Sequence, residues 1–280
     1  MVNGLALCAG IGGLELGLRL AMPNYRTVVY VERESYAAAT LVARMEDAAM
    51  DSAPIWDDLT TFDGAAWRGC VDIVTAGFPC QPWSFAGSRA GTDDERWIWP
   101  AIARIIRDVE PGAVFLENVP GLVSGGLEHV LWSLASLWFD AEWCVLGASD
   151  LGASHQRKRL FILAHARGKR SERWRDGRDM GSEARARYWQ TPSVSDTTGG
   201  HATRSGSRSA ELLLPGQGKV IGHQLPTTCT HGGECRRVLN PRFVDWLMGF
   251  PTGWSDYAQT VTGWSQWLQR WRTYISEIGW

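Results

Sequence analysis

A short apolar run, Val71-Asp72-Ile73-Val74-Thr75-Ala76, stops at Gly77 and leads into Phe78-Pro79-Cys80-Gln81-Pro82-Trp83-Ser84, and this junction constrains the chain more than any other feature. The run alternates and is rich in β-branched residues, so it reads as a buried strand. Prolines on both sides of Cys80 fix φ and remove backbone donors, which stiffens the turn and sets the direction of the thiol. A cysteine just past the C-terminal end of such a strand stands where open α/β sheets build their active sites. Most free cysteines are buried packing residues. The Pro-Cys-Gln-Pro setting points instead to a nucleophile.

The flanking sequence supplies the rest of such a sheet. Leu5-Ala6-Leu7-Cys8 is a short apolar strand followed by the turn Gly10-Ile11-Gly12-Gly13, and Leu14, Leu16, Leu18 and Leu20 with Glu15 and Arg19 suggest a helix. Thr27 to Val31 reads as a strand ending at Glu32, Ser35 to Met45 as an Ala-rich helix, and Trp99 to Asp108 as a helix with Ile102, Ile105 and Ile106 on one face. Ala113 to Leu116, ending at Glu117, and Leu160 to Leu163 are further strands. Strands alternating with helices predict a doubly wound, mostly parallel α/β sheet. The chain's 280 residues leave room for a small, irregular second domain.

Charge marks where that second domain falls. Residues 151–245 hold 17 Lys and Arg against 8 Asp and Glu, or +9; the remainder holds 11 against 22, or −11, which gives the net −2 of the whole. Such segregation predicts a basic surface joined to an acidic body, the footprint of a nucleic-acid partner. From about Arg167 to Arg208, Arg, Gly and Ser dominate and hydrophobic periodicity is lost; a solvated basic linker would look the same. The expected division is a catalytic domain over 1–166, completed by 245–280, and a small domain over 167–244. Trp264, Trp267, Leu268, Trp271, Ile275 and Ile278 fall near helical spacing, an aromatic stripe expected to pack on the large domain.

No basic leader precedes an apolar stretch at the N-terminus, and no run approaches membrane-spanning length. Six cysteines are too few and too irregular for a disulfide framework. A monomeric cytoplasmic protein away from membranes is expected. His223, Cys229, His231 and Cys235 match no standard zinc spacing, so no metal is expected.

Several residues cluster at predicted strand ends. The Gly10–Gly13 turn allows close backbone approach to a ligand at a helix N-terminus, although no glycine falls three residues after Gly12. Glu32 stands where a carboxylate can bind ribose hydroxyls. Asp57-Asp58-Leu59 follows a third strand, where capping is the competing role. Glu117, amid apolar residues, should have a raised pKa and could donate a proton to a ring nitrogen; Asn118 follows it. In His155-Gln156-Arg157-Lys158-Arg159 the two arginines share a face if extended and could clamp a base oxygen and a phosphate.

In chain order, the glycine turn, Pro79-Cys80-Gln81, Glu117-Asn118-Val119, Arg157-Lys158-Arg159 and Gly249-Phe250-Pro251 resemble the motif series of the DNA cytosine-5 methyltransferase family. The resemblance implies a Rossmann-like methyltransferase fold that binds S-adenosyl-L-methionine and double-stranded DNA. It assigns catalysis to Cys80, Glu117, Arg157 and Arg159. It places Cys8, Ala9, Gly10, Ile11, Gly12, Gly13, Leu14, Glu32, Asp58, Leu59, Gly77 and Pro79 around the cofactor, and Gln81, Ser84, Asn118 and Arg237 toward the substrate. Cys8 stands where the family usually has phenylalanine, His155 stands where it usually has glutamine, and the family's Gly-Asn-Ser-type segment near the C-terminus is missing.

The implied chemistry begins with addition of the Cys80 thiolate to C6 of a flipped-out cytosine, with Glu117 neutralising charge at N3. C5 then takes the methyl group, and loss of its proton releases the enzyme. Gln81 to Glu95 is expected to close over the base as a lid. Restriction-modification is one setting for such an enzyme. RNA cytosine as substrate, and DNA binding without turnover, are the competing readings.

Overall fold

The computed structural model describes residues 1–79, 97–151, 153, 155–167, 224–226, 237–239, 244–245, 248–251, 253–258, 260–261 and 263–277. Two compact units divide the chain, one comprising Met1–Leu146, Lys158–Asp179 and Trp264–Trp280, the other Gly147–Arg157 and Met180–Gly263.

The first unit is built on a seven-stranded sheet. Its strands are β1 (Val2–Leu7), β2 (Tyr25–Val31), β3 (Ile55–Trp56), β4 (Ile73–Gly77), β5 (Ala113–Asn118), β6 (Phe139–Gly147) and β7 (Lys158–Ala166), in the order β3-β2-β1-β4-β5-β7-β6. Pairings from β3 through β5 are parallel, and β7 runs antiparallel to β5. The order reverses at β1, which has β2 on one side and β4 on the other, so the crevice at the C-terminal ends of these strands is the place for a ligand.

The helices follow from their patterns. In α3 (Trp99–Val109), Trp99, Ile102, Ile105, Ile106 and Val109 are all buried, the three-and-four spacing of one apolar face. Each of the three isoleucines contributes about 1.5–3 kcal/mol by full burial. Pro100 occupies the first turn, where a missing N–H is harmless, and Glu110 ends the helix in the left-handed region, donating its N–H to the Ile106 carbonyl at 3.0 Å. Helix α1 (Gly13–Ala21) starts after Gly12, which has φ 81°. That φ is what calls for glycine; a Cβ there would also stand 2.6 Å from the Met50 methyl, the flexible end of a side chain that could shift. Helix α2 (Ser35–Glu46) is capped by Glu34, whose carboxylate accepts from the Ala37 N–H at 2.7 Å.

In the first unit, α4 (Leu127–Ser136) and β6 are absent from the sequence expectation; so are the short strands of the second unit. Only Phe139 and Gly147, the ends of β6, are buried, so the strand shows no alternation. The C-terminal helix α5 (Trp264–Glu277) lies against α1. Its Trp264 and Trp267 stack at 5.4 Å and Trp267 is buried, which fits the packing role expected of the stripe. In the second unit, β8 (Gln224–Pro226) and β9 (Arg237–Leu239) pair antiparallel. Among the described residues no helix is long and apolar enough to cross a membrane.

Candidate active site

The C-terminal ends of β1 to β5, together with the start of β7, carry the predicted residues of the first unit. Where β1 ends, Cys8, Gly10 and Gly12 all have positive φ, at 50°, 55° and 81°. The turn is closed by the Gly12 N–H donating to the Ala9 carbonyl (2.9 Å) and tied to β2 by the Ala9 N–H donating to the Val31 carbonyl (3.2 Å). Nothing lies within 4 Å of where a Cβ on Gly10 would stand. Gly12 supplies no side-chain cap to the helix N-terminus beyond it, and the dipole there favours a negatively charged group.

Glu32 binds this turn to the next. Its Oε2 accepts from the Gly10 N–H and its Oε1 from the Glu34 N–H, both at 2.7 Å. Burial, helped by the charge of Glu32, pushes the Cys8 thiol up to about 12. At the end of β3, Asp58 Oδ1 accepts from the backbone N–H and the hydroxyl of Thr60, at 2.8 and 2.7 Å. These two bonds hold its carboxyl below the usual range. Capping of this turn is therefore one role Asp58 performs. Ala9 and Leu59 are buried, and Ile11 and Leu14 half-buried.

Beyond β4 the chain is held at Phe78, buried between Trp97 and Trp99 at ring distances of 6.3 and 5.6 Å. The Phe78 carbonyl accepts from Asn118 Nδ2 at 3.0 Å, and Asn118 Oδ1 accepts from the Val119 N–H at 2.8 Å. The buried Asn118 thus joins the exit of β4 to the exit of β5. Pro79 is exposed and leads to Cys80; Cys80, Gln81, Ser84 and the predicted lid lie outside the described residues.

Glu117 neighbours Gly77 in the β4–β5 register. Contrary to the expectation of a carboxyl among apolar groups, it is ion-paired: Arg159 Nε lies 2.7 Å from Oε1, with the two side chains 22% and 24% exposed. The antiparallel direction of β7 makes this possible, because the start of β7 then lies beside the end of β5. Glu117 Oε2 lies 3.6 Å from where a Cβ on Gly77 would stand. Arg157 is half-buried and belongs to the second unit, as does Arg237, which opens β9. His223, Cys229, His231 and Cys235 lie outside the described residues.

Among the buried polar residues assigned no role from sequence, one lies beside the glycine turn. Glu15, in the first turn of α1, is 2% exposed. A carboxylate two residues past a glycine turn looks in sequence like the polar side of a helix, and only packing reveals its burial.

The strand order, the reversed β7 and the glycine turn followed by an acid after β2 define a Rossmann-like methyltransferase fold. Solved structures agree on the fold: Dnmt2 of S. pombe superposes with a TM-score of 0.59 at 15% identity, covering 100% of both chains. DNMT2 of Spodoptera frugiperda gives 0.60 at 15%, covering 99% of this chain and 98% of that one. The C-5 cytosine-specific DNA methylase model matches residues 2–199, and the chain belongs to that family. Type II methyltransferase M.NgoMIV of Neisseria gonorrhoeae is 35% identical over 164 residues, which is 57% of this chain and 50% of that protein. Type II methyltransferase M.PspPI of Psychrobacter sp. is 40% identical over 167 residues, 56% of this chain and 38% of that protein. The chain spans about half, or less, of the length of these curated relatives.

Proposed function

We propose that this protein is a DNA cytosine-5 methyltransferase that uses S-adenosyl-L-methionine. The observation that carries the reading is the Glu117–Arg159 pair at the mouth of β4 and β5, beside the strand end that leads to Pro79-Cys80. A Rossmann-like sheet alone would fit many activities. A cysteine that follows one strand end in the chain and an oriented acid at the adjoining one suit addition to a pyrimidine.

The residues fit the cofactor. The open turn at Gly10, the uncapped start of α1 and the Glu32 carboxylate form a cradle for an amino acid's carboxylate and a ribose. When bound, S-adenosyl-L-methionine supplies an electrophilic methyl group on a sulfonium. The chain's own residues prepare the base. The Cys80 thiolate forms a bond to C6 of cytosine, and electron density moves toward N3. Arg159 holds Glu117 Oε1, which leaves Oε2 to carry the proton that meets N3. C5 becomes nucleophilic as a result, and removal of its proton after transfer lets the thiolate leave. Asn118 keeps the chain entering the Cys80 turn in register with Glu117. Residues 167–244, with Arg237, are assigned to target recognition, and the substrate is double-stranded DNA with the cytosine flipped out.

The test is expression in a bacterial strain without cytosine methylation, followed by base-resolution mapping of 5-methylcytosine beside a Cys80→Ala control. Methylation in one short context, absent from the control, is the expected result. Methylation that persists in the control would remove Cys80 from the mechanism. Absence of DNA methylation, with transfer to RNA in vitro, would replace the proposed substrate.

A further inference from the structure

Glu15 is a buried ionisable group that the mechanism above does not use. Its Oε1 accepts a 2.7 Å hydrogen bond from the Thr75 hydroxyl, which also lies 3.4 Å from the Leu5 carbonyl. Among the described residues Oε2 has no hydrogen-bond partner. Thr75 is the middle residue of β4, paired with Ala6 of β1 and Phe115 of β5. Tyr25 and Tyr30 of β2 are near enough for the charge of Glu15 to help push both phenols up. Arg19, one turn along α1, is committed to the Ala49 carbonyl at 2.9 Å and to Asp51 at 4.0 Å.

A buried acid in this setting costs stability. A leucine would fill similar space without that cost, and α1 already carries Leu14, Leu16, Leu18 and Leu20. Packing therefore does not call for an acid, whereas the position does. Glu15 lies two residues past Gly13, and Thr75 two residues before Gly77. We infer that Glu15 is a positioning residue for the proposed methyl transfer: through Thr75 its carboxyl group ties the helix that starts at the glycine turn to the strand that leads to Cys80. The inference rests on the proposed function. The tie fixes the distance between the cofactor cradle and the nucleophile's strand. Burial raises the Glu15 pKa above its ordinary value, partly opposed by the Thr75 bond and by a bond from the Glu15 backbone.

The experiment compares the full-length wild type with Glu15→Gln, Glu15→Leu, Thr75→Val and the Glu15→Leu/Thr75→Val double variant. The readouts are urea midpoints across pH and calorimetric affinity for S-adenosylhomocysteine. A raised folded-state pKa gives stability that is complete below the unfolded value and is lost as pH rises through the folded one. The wild type should therefore fall behind Glu15→Leu in midpoint as pH rises above the ordinary carboxylate range. Glu15→Leu and Thr75→Val should each weaken S-adenosylhomocysteine about tenfold, and the double variant no further. Glu15→Gln, neutral with an acceptor in the same place, should restore affinity to within about twofold. Undiminished affinity in a stable Glu15→Leu, or additive losses in the double variant, would overturn the tie. If the wild type binds no S-adenosylhomocysteine, the proposed function fails separately. The tie is then judged on urea midpoints, where non-additive changes support it and additive changes reject it.

Discussion

Glu32, after β2, and Glu117, in β5, stand at the same end of the sheet, and the fold holds them in opposite ways. Backbone N–H groups of Gly10 and Glu34 take both oxygens of Glu32. A single side chain, Arg159, takes one oxygen of Glu117. Backbone donors cannot be mutated away or swing aside, so Glu32 is fixed as an acceptor, which suits hydroxyl groups. A side-chain partner leaves the second oxygen of Glu117 uncommitted to the pair, which suits an acid that must exchange a proton. Under the proposed function, binding and chemistry are thus separated by the kind of donor each carboxylate meets.

Glu117→Gln offers the sharpest way to break this comparison. It should lower kcat about 10²- to 10⁴-fold, the range for loss of an acid catalyst, with S-adenosylhomocysteine affinity unchanged; an unaltered kcat would show that Glu117 carries no proton. Arg159→Ala comes next. Loss of a charge-assisted bond of about 1.5–3 kcal/mol should slow transfer roughly ten- to a hundredfold, as measured in single-turnover assays. Glu32→Ala should raise KM for the cofactor about tenfold and leave kcat nearly constant. A matching fall in kcat would erase the division of labour. The smallest effect concerns reactivity: with its thiol near 12, Cys8 should alkylate with iodoacetamide at about pH 8 far more slowly than exposed Cys70, by peptide mass mapping.

The parts legible in sequence are those encoded by neighbours in the chain. Val71 to Gly77 announced β4 through composition, and Ile102, Ile105 and Ile106 announced the buried face of α3 through spacing. Gly10 and Gly12 were legible because their backbone conformation, with φ of 55° and 81°, favours glycine. The Glu117–Arg159 pair was only half legible. Each residue stood out in its own motif, but their contact depends on β7 running against β5, and no local pattern encodes strand direction. Glu15 was hidden because a lone acid near a helix start reads as solvent-facing, and only the packing of α1 over Thr75 buries it. Strand β6 was hidden because its exposed middle has no alternation to read. Asp58 shows a further limit, since its bonds to Thr60 satisfy the capping role that sequence alone held open.

The reversed strand also imposes an order on folding. Strands β1 to β5 are made first, and their parallel pairings can form as the chain emerges. One edge of β5, however, is bare until Lys158–Ala166 has been synthesised and inserts between β5 and β6. An unpaired edge on an apolar strand is an aggregation template, and non-local pairing is slow to close. Yield of this protein should therefore be governed less by the finished sheet than by how long β5 waits for its last neighbour on the ribosome.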